Sequence, residues 1–426
     1  DCEGWHGVYS MWIFNEKEEG MKRQVPQGAC FFIYESFSEE RIRVMKLIHL
    51  SDLHIGKRVN EFSMLEDQSY ILSQILAVTK KEQPDCVIVA GDIYDKPVPS
   101  AEAVQIFDDF LTRLAEMKIP GLMISGNHDS AQRLSFGARL MKETGIYFSH
   151  VYDGTLQKVE FCDEYGGVDI YLLPFIRPSI VRHVFPEEET ESYQDAVRTA
   201  LEHVELETSH RNILAAHQFV TGASRCESEE ISVGGMDQID ISLLDAFDYV
   251  ALGHIHSPQS VGRETVRYCG TPLKYSFSEA DQEKSVTVAE LKEKGEVEIR
   301  TIPLVPLRDM RKIKGTYLEV TAKAFYEGTN TRDYIQITLT DEEDIPDGMQ
   351  KLRAIYPNLM RLEYDNKRTR ESREITGAEE MKEKSAQELF EEFYELQNNQ
   401  PVSSEQKRFL QKLIRDIQEG EQDETV

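Results

Sequence analysis

The chain has 426 residues, 40% of them hydrophobic, which is long for a single core of ordinary size and enough for two or three globular domains. Its 76 acidic against 48 basic residues leave a formal charge of −28. A balance this acidic repels nucleic acid at long range, so contact with a phosphate chain has to come through bound cations or a basic partner. No run of about 18 apolar residues occurs and no basic stretch feeds a long apolar segment near the N-terminus, so neither a helical membrane span nor a secretory signal is expected, and the expected location is the cytoplasm. The six cysteines, Cys2, Cys30, Cys86, Cys162, Cys226 and Cys269, form no CxxC pair. That argues against a zinc knuckle or a disulfide framework and for reduced, mostly packed thiols.

In chain order, residues 1–44 lack sustained periodicity and are expected to form a poorly structured leader, with Met45 as the natural start. The alternative is a genuine N-terminal extension in which the stretch from Cys30 to Phe37 pairs as a strand. From Met45 onward short apolar runs alternate with helical periodicity. Strands are expected at Leu47–Leu50, Cys86–Ala90 and Leu122–Ser125, with helices near Met64–Lys81 and Ala101–Met117 between them. Further strands follow at Ile170–Leu173, Ile213–Ala216 and Tyr249–Leu252, then β-rich sequence from Val266 to Ile302. This is an α/β pattern, and it places the first domain at 45–305. In such layered folds the chemistry sits at the carboxyl ends of the strands.

A second, small α+β unit is expected at 306–370, with strands at Tyr317–Thr321, Tyr334–Thr340 and Leu359–Tyr364 and a helix around Gly348–Ile355. The charged stretch from Asn366 to Glu374 reads as a linker, bounded at 371–384 between this unit and the tail. The tail, 385–426, reads as a helical hairpin. Ser385 with Glu388 and Ser403 with Gln406 fit capping boxes, and each precedes apolar residues at helical spacing: Leu389, Phe393 and Leu396, then Phe409, Leu413 and Ile417. Such stripes pack on the body of the protein or dock on another one.

The chemistry lies in polar clusters that each follow a strand-like run: Asp52-Leu53-His54, Gly91-Asp92 with Asp95, Gly126-Asn127-His128-Asp129, and Gly253-His254-Ile255-His256, with His217 ending a further strand. Strand ends of one sheet face one crevice, so these donors can converge. Residues two apart in extended backbone point to the same side, which suggests that Asp52/His54 and His254/His256 each act as a pair. A carboxylate such as Asp92 has two oxygens and can bridge two ions about 3.5–4 Å apart. Mixed imidazole, carboxylate and amide ligands favour manganese, iron or zinc. Singly, each cluster has a plain explanation: Asp-x-His arises by chance, His217 could be a satisfied strand-end histidine, Asp95 a turn cap, and His49, inside the first strand, a packed or exposed side chain. Together and in this order they point to a metal centre.

The ordered set Asp52/His54, Asp92, Asn127/His128, His217 and His254/His256 resembles the calcineurin-like metallophosphoesterase superfamily, and the wording of Met45–His54, Gly91–Asp95, Gly126–Ser130 and Gly270-Thr271-Pro272-Leu273-Lys274-Tyr275-Ser276 is similar to its SbcD-type bacterial nuclease subunits. The resemblance runs from Met45 to the end of the chain. It implies a two-sheet α/β sandwich flanked by helices, a small capping domain, and a tail hairpin that docks an SbcC-type coiled-coil ATPase. It further implies one metal held by Asp52, His54, Asp92 and His256, and a second by Asp92, Asn127, His217 and His254, with manganese the expected ion and magnesium another possible one. His128 would be a non-ligand acid that protonates the leaving oxygen, with Asp129 orienting it. The implied activity is double-strand exonuclease and hairpin or single-strand endonuclease action on DNA in recombination, replication and repair, by a homodimer within a heterotetramer. The sequence has no GxxxxGK[ST] of its own for ATP. A small-molecule or cyclic-nucleotide phosphodiesterase, or a catalytically silent scaffold on the same fold, are the competing readings.

Overall fold

The structure is a computed structural model and describes residues 44–229, 237–367, 385, 387, 388, 390, 391, 394 and 402–420. The expectations for residues 1–43 and for the linker at 371–384 fall outside them. Two six-stranded sheets face each other. The first has the order Val297–Pro303, Ser285–Leu291, Met45–Leu50, Cys86–Ala90, Gly121–Ile124, Ile146–Phe148. From Met45 onward its neighbours run parallel, while Ser285–Leu291 pairs antiparallel. In the second, ordered Gln259–Val261, Arg263–Tyr268, Tyr249–Gly253, Arg211–His217, Gly166–Leu173, Gln157–Asp163, the four middle strands are parallel.

The period-2 alternation of each strand decides which layer a side chain joins. Leu47, Ile88, Leu122 and Ala289 point inward and interlock with Val168, Ile170, Ile213 and Ala251 of the opposite sheet. Ile48, Leu50, Val87 and Val89 point outward, where Ile71, Ile75, Phe107 and Phe110 of the helices Leu65–Glu82 and Ala101–Glu116 cover them. On the far side Leu214, Ala216, Val250 and Leu252 are covered by Ala196, Val197 and Ala200 of the helix Tyr193–Glu202. Strands buried on both faces read as unbroken apolar runs, which is why they were legible. His49 is buried between the sheets. Its Nε2 donates to the Leu252 carbonyl at 3.1 Å and its Nδ1 accepts from the Tyr249 hydroxyl at 3.0 Å. Burial lowers this ring to about 3, so it is a packed neutral histidine.

The unit that follows is a three-stranded parallel sheet, Met310–Gly315, Tyr334–Leu339 and Leu359–Tyr364. The strand expected at Tyr317–Thr321 is a helix instead. Thr316 caps it, accepting from Glu319 N while the Glu319 carboxylate takes the Thr316 backbone N–H, and that reciprocal bond outweighs the β-prone Tyr, Val and Thr side chains. This unit rests on the first through Asp67, buried in the Leu65–Glu82 helix, which accepts from the Tyr334 hydroxyl at 2.7 Å and from Arg308 at 3.1 Å. In the tail, both capping boxes are formed: Ser385 with Glu388, and Ser403 with Gln406 at the start of the helix Ser404–Gly420. Lys407 bonds Glu391 and Gln406 bonds the Tyr394 hydroxyl, joining the two segments. No helix among the described residues is long and apolar enough to cross a membrane. Of the four described cysteines, all free, Cys86 and Cys269 are buried, Cys226 is half-buried and Cys162 is exposed.

The intersheet layer gives a direct test. Ile170→Ala removes a fully buried side chain from its middle and is expected to lower the unfolding free energy by about 2–5 kcal/mol, measured by urea denaturation.

Candidate metal centre

The clusters sit where the chain leaves its strands, in turns that ordinary residues avoid. Asp52, His54, Asp92 and His254 have φ of 52°, 44°, 49° and 97°. Such left-handed backbone costs on the order of 1–3 kcal/mol per residue and persists only where the surroundings enforce it. Here the two loops pair with each other: Asp52 N donates to Gly91 O at 3.0 Å, His54 N to Asp92 O at 2.9 Å and Ile55 N to Ile93 O at 2.9 Å. Close approach also sets two glycines. A Cβ on Gly126 would stand 2.1 Å from Asp92 Oδ1, and one on Gly253 would stand 1.8 Å from Ala90 O. The turns correct the expectation of extended Asp-x-His and His-x-His pairs. Asp52 and His54 do fall in one group, with His256, while His254 Nδ1 lies 3.0 Å from Asn127 Oδ1, the grouping that the resemblance implied.

Asp92 lies at the middle, 2% exposed. Its Oδ2 is 3.3 Å from His217 Nε2, 3.7 Å from His54 Nε2 and 4.0 Å from His128 Nε2. On one side His54 Nε2 and His256 Nε2 are 3.1 Å apart, with an Asp52 oxygen in the same cluster. On the other, Asn127 Oδ1 is 3.0 Å from both His217 Nε2 and His254 Nδ1. The six other expected ligands are therefore gathered around the Asp92 carboxylate. Asp52 also accepts from His254 N at 3.0 Å and from the Ser51 hydroxyl, so its position is fixed from two strands.

These atoms fit a pair of cations. His217 Nδ1 donates to Ala90 O at 2.8 Å, so the neutral ring turns a lone pair on Nε2 toward Asn127 Oδ1 and Asp92, which are acceptors as well. Acceptors about 3 Å apart need a positive charge among them, and neighbouring donors on one ion with bonds of about 2.0–2.2 Å are separated by about that distance. Burial opposes a charged His217, yet Asp92 and then Asp52 overcome it and raise the ring to about 9, so a proton supplies that charge in the metal-free protein. Burial likewise opposes the charge on Asp92, but His217, His128 and His54 hold its carboxyl well below the usual range. Burial keeps His54 and His256 well below 6.5 and His254 at about 3, so these rings are neutral and free to ligate. Asp52 is pushed up to about 7 by burial.

His128 stands at the rim. Its Nδ1 donates to the Asp95 carbonyl at 3.1 Å and its backbone N–H to Asp92 Oδ1 at 2.9 Å, leaving Nε2 toward the centre. Asp129, expected to orient that ring, uses its carboxylate on the backbone N–H groups of Ile93, Tyr94 and Gly126, so it fixes the loop that carries His128. Asp95 contributes its carbonyl to His128, while its carboxylate takes Lys57 at 2.8 Å and lies 3.8 Å from His54 Nδ1, a buried nitrogen with no hydrogen-bond partner. Two neighbours had no signal in the sequence. Glu229 accepts from His256 N at 2.7 Å, and Asp237 lies 3.9 Å from His254 Nε2. Neither falls in a motif, and only the fold brings them here.

The raised His217 gives a pH test with a definite sign. Its proton is held below about 9, and a cation at Nε2 must displace it. Manganese binding is therefore expected to release protons at neutral pH and to weaken by up to about tenfold per unit as pH falls. Calorimetry in buffers of different ionisation enthalpy measures both; His217→Ala is expected to remove that release together with the affinity of one ion.

Residues 45–258 match the calcineurin-like phosphoesterase family, and residues 306–398 match the type 5 capsule protein repressor C-terminal domain. The chain is 33% identical over 377 residues to the SbcD subunit of the nuclease SbcCD from Staphylococcus epidermidis, covering 87% of this chain and 98% of that protein. The crystal structure of a dimetal phosphatase from Danio rerio is similar with a TM-score of 0.37 and 12% identity over 62% of this chain and 98% of that one, a likeness too slight to bear on the site. The chain thus belongs to the calcineurin-like phosphoesterases and, within them, to the SbcD family of nuclease subunits, metal-dependent phosphodiesterases.

Proposed function

We propose that this protein is the nuclease subunit of a DNA end-processing complex, cutting phosphodiester bonds at a centre of two divalent ions, manganese in the first place. The observation that carries the reading is Asp92 among overlapping groups of donors, Asp52 with His54 and His256 in one and Asp52 with Asp92 and His217 in another, and Asn127 beside His217 and His254. When bound, the ions supply an activated water and neutralise charge building on the phosphoryl oxygens. The chain's own part would be to hold them, through Asp92 and neutral histidines, and to bring a proton to the leaving sugar oxygen. His128 is the residue placed to deliver that proton, because Nδ1 is tied to Asp95 O and Nε2 faces the centre beside the negative charge of Asp92.

The partners are read from the family membership, with the surfaces in support. We assign residues 45–305 to the nuclease domain, 306–370 to a capping domain, 371–384 to a linker and 385–426 to a hairpin that docks an SbcC-type coiled-coil ATPase. In support, Phe390, Phe409 and Leu413 of the tail remain exposed. The partner would bring the basic surface that a chain of charge −28 lacks, in the cytoplasm, where DNA is available. A homodimer is supported by the trough lined by Val104, Phe107, Leu111, Phe136 and Leu140, in which Phe136 is 85% and Leu140 79% exposed.

The decisive assay incubates the full chain, with and without the ATPase, with blunt and hairpin DNA in manganese. Wild type is expected to degrade both, and His128→Ala to lose about 10²–10⁴-fold in rate while still binding metal. A wild-type protein that leaves all DNA intact yet hydrolyses a small phosphodiester would sink the assignment. Phe136→Asp is expected to turn the dimer into a monomer, read by light scattering.

A further inference from the structure

The wording Gly270–Ser276 marks the family resemblance, yet none of its side chains is among the expected ligands. Its place in the fold suggests what it does. Gly270 has φ of 75°, and a Cβ there would stand 2.6 Å from His256 O, so glycine lets this segment lie against the His256 backbone. Thr271 N then donates to His256 O at 3.1 Å. The chain continues through a short 3-10 turn, Phe277–Glu279, that buries Glu279 completely.

Glu279 is the hub of this segment. Its Oε2 takes the ammonium of Lys284 at 2.6 Å, and Lys284 also donates to His256 O at 2.9 Å. Its Oε1 takes the Ser228 hydroxyl at 2.6 Å, and Ser228 Oγ lies 2.7 Å from His256 Nδ1. The direction of this chain is fixed by its end. A carboxylate accepts only, so Ser228 spends its one proton on Glu279 and can only accept from His256. His256 must then carry its proton on Nδ1, and its Nε2 is a bare lone pair facing His54 Nε2 at 3.1 Å. With Glu229 on the backbone N–H, His256 is gripped at its N, its O and its ring.

The geometry points to Ser228, Glu279 and Lys284 as positioning residues that lock the His256 tautomer and so set the affinity of one of the two ions, the one shared with Asp52 and His54. The cost of burying Glu279 is offset by Lys284, and a partner on the far nitrogen of a ligating histidine typically governs about 10–100-fold in metal affinity. The inference rests on the metal reading above. Ser228 is only half-buried, so replacing it does not endanger the fold, whereas Glu279 is enclosed and is better changed to glutamine than to alanine.

The test compares Ser228→Ala, Ser228→Thr, Glu279→Gln and His256→Ala in the full-length chain. Manganese binding is followed by calorimetry, and the histidine tautomer of the metal-free protein by long-range proton–nitrogen NMR. Wild type is expected to hold the proton on His256 Nδ1. Ser228→Ala should mix the tautomers and weaken one manganese equivalent by about 10–100-fold, with the other unchanged, and Ser228→Thr, which keeps the hydroxyl, should restore it to within about threefold. Glu279→Gln is expected to weaken the same equivalent. Wild-type binding of both equivalents by Ser228→Ala, or a threonine variant as weak as the alanine one, overturns the relay alone, provided that His256→Ala loses an equivalent. Should His256→Ala retain both, the metal reading falls and the relay with it.

Discussion

A carboxylate almost wholly removed from water must be compensated by positive charge, and Asp92 sets that demand for the whole molecule. Three histidine nitrogens approach one of its oxygens, and a backbone N–H from His128 takes the other. Without metal, a proton on His217 meets part of the demand; two divalent ions would meet it in full. The surrounding residues place acceptor atoms close together around Asp92. The same burial that penalises the charges keeps the neighbouring imidazoles neutral, which is the state in which they ligate.

That arrangement requires strained backbone, and the sandwich around it supplies the means to hold the strain. Four expected ligands occupy left-handed conformations at strand ends. They remain there because the preceding strands are packed on both faces, between an intersheet layer and a helical layer, and because adjacent loops satisfy each other's N–H and C=O groups. The two sheets also deliver their parallel strand ends to one edge, so residues more than 200 positions apart, such as Asp52 and His254, come within hydrogen-bond distance.

The centre is acidic and self-contained, matching a protein whose charge repels the phosphate chain it would cut. Among the described residues, exposed apolar side chains include those of the trough beside the Ala101–Glu116 helix and Phe390, Phe409 and Leu413 of the tail. Both are regions where a second polypeptide could bury area.

The strand-end clusters were legible because each pairs a continuous apolar run with polar residues that have no structural use at that position, and the α/β order followed from periodicity. The tail capping boxes were legible for the same local reason, since a Ser and a Glu or Gln three residues on complete their bonds within one turn. Where two local signals compete, pattern alone misleads. Tyr317–Thr321 looks like a strand, but the cap at Thr316 made it a helix. The division of His254 from His256 depends on a positive φ at His254 that no side-chain pattern encodes, because it is imposed by contacts from other strands. Ser228, Glu279 and Lys284 lie outside every ligand cluster in the sequence, and they acquire a role only when the loops from 226 to 229 and from 270 to 284 close on His256. The sequence by itself determined which atoms could bind metal, since that is a property of side-chain chemistry. The tertiary structure decided which of those atoms lie together and which neighbours bond them, since both depend on distances that only packing sets.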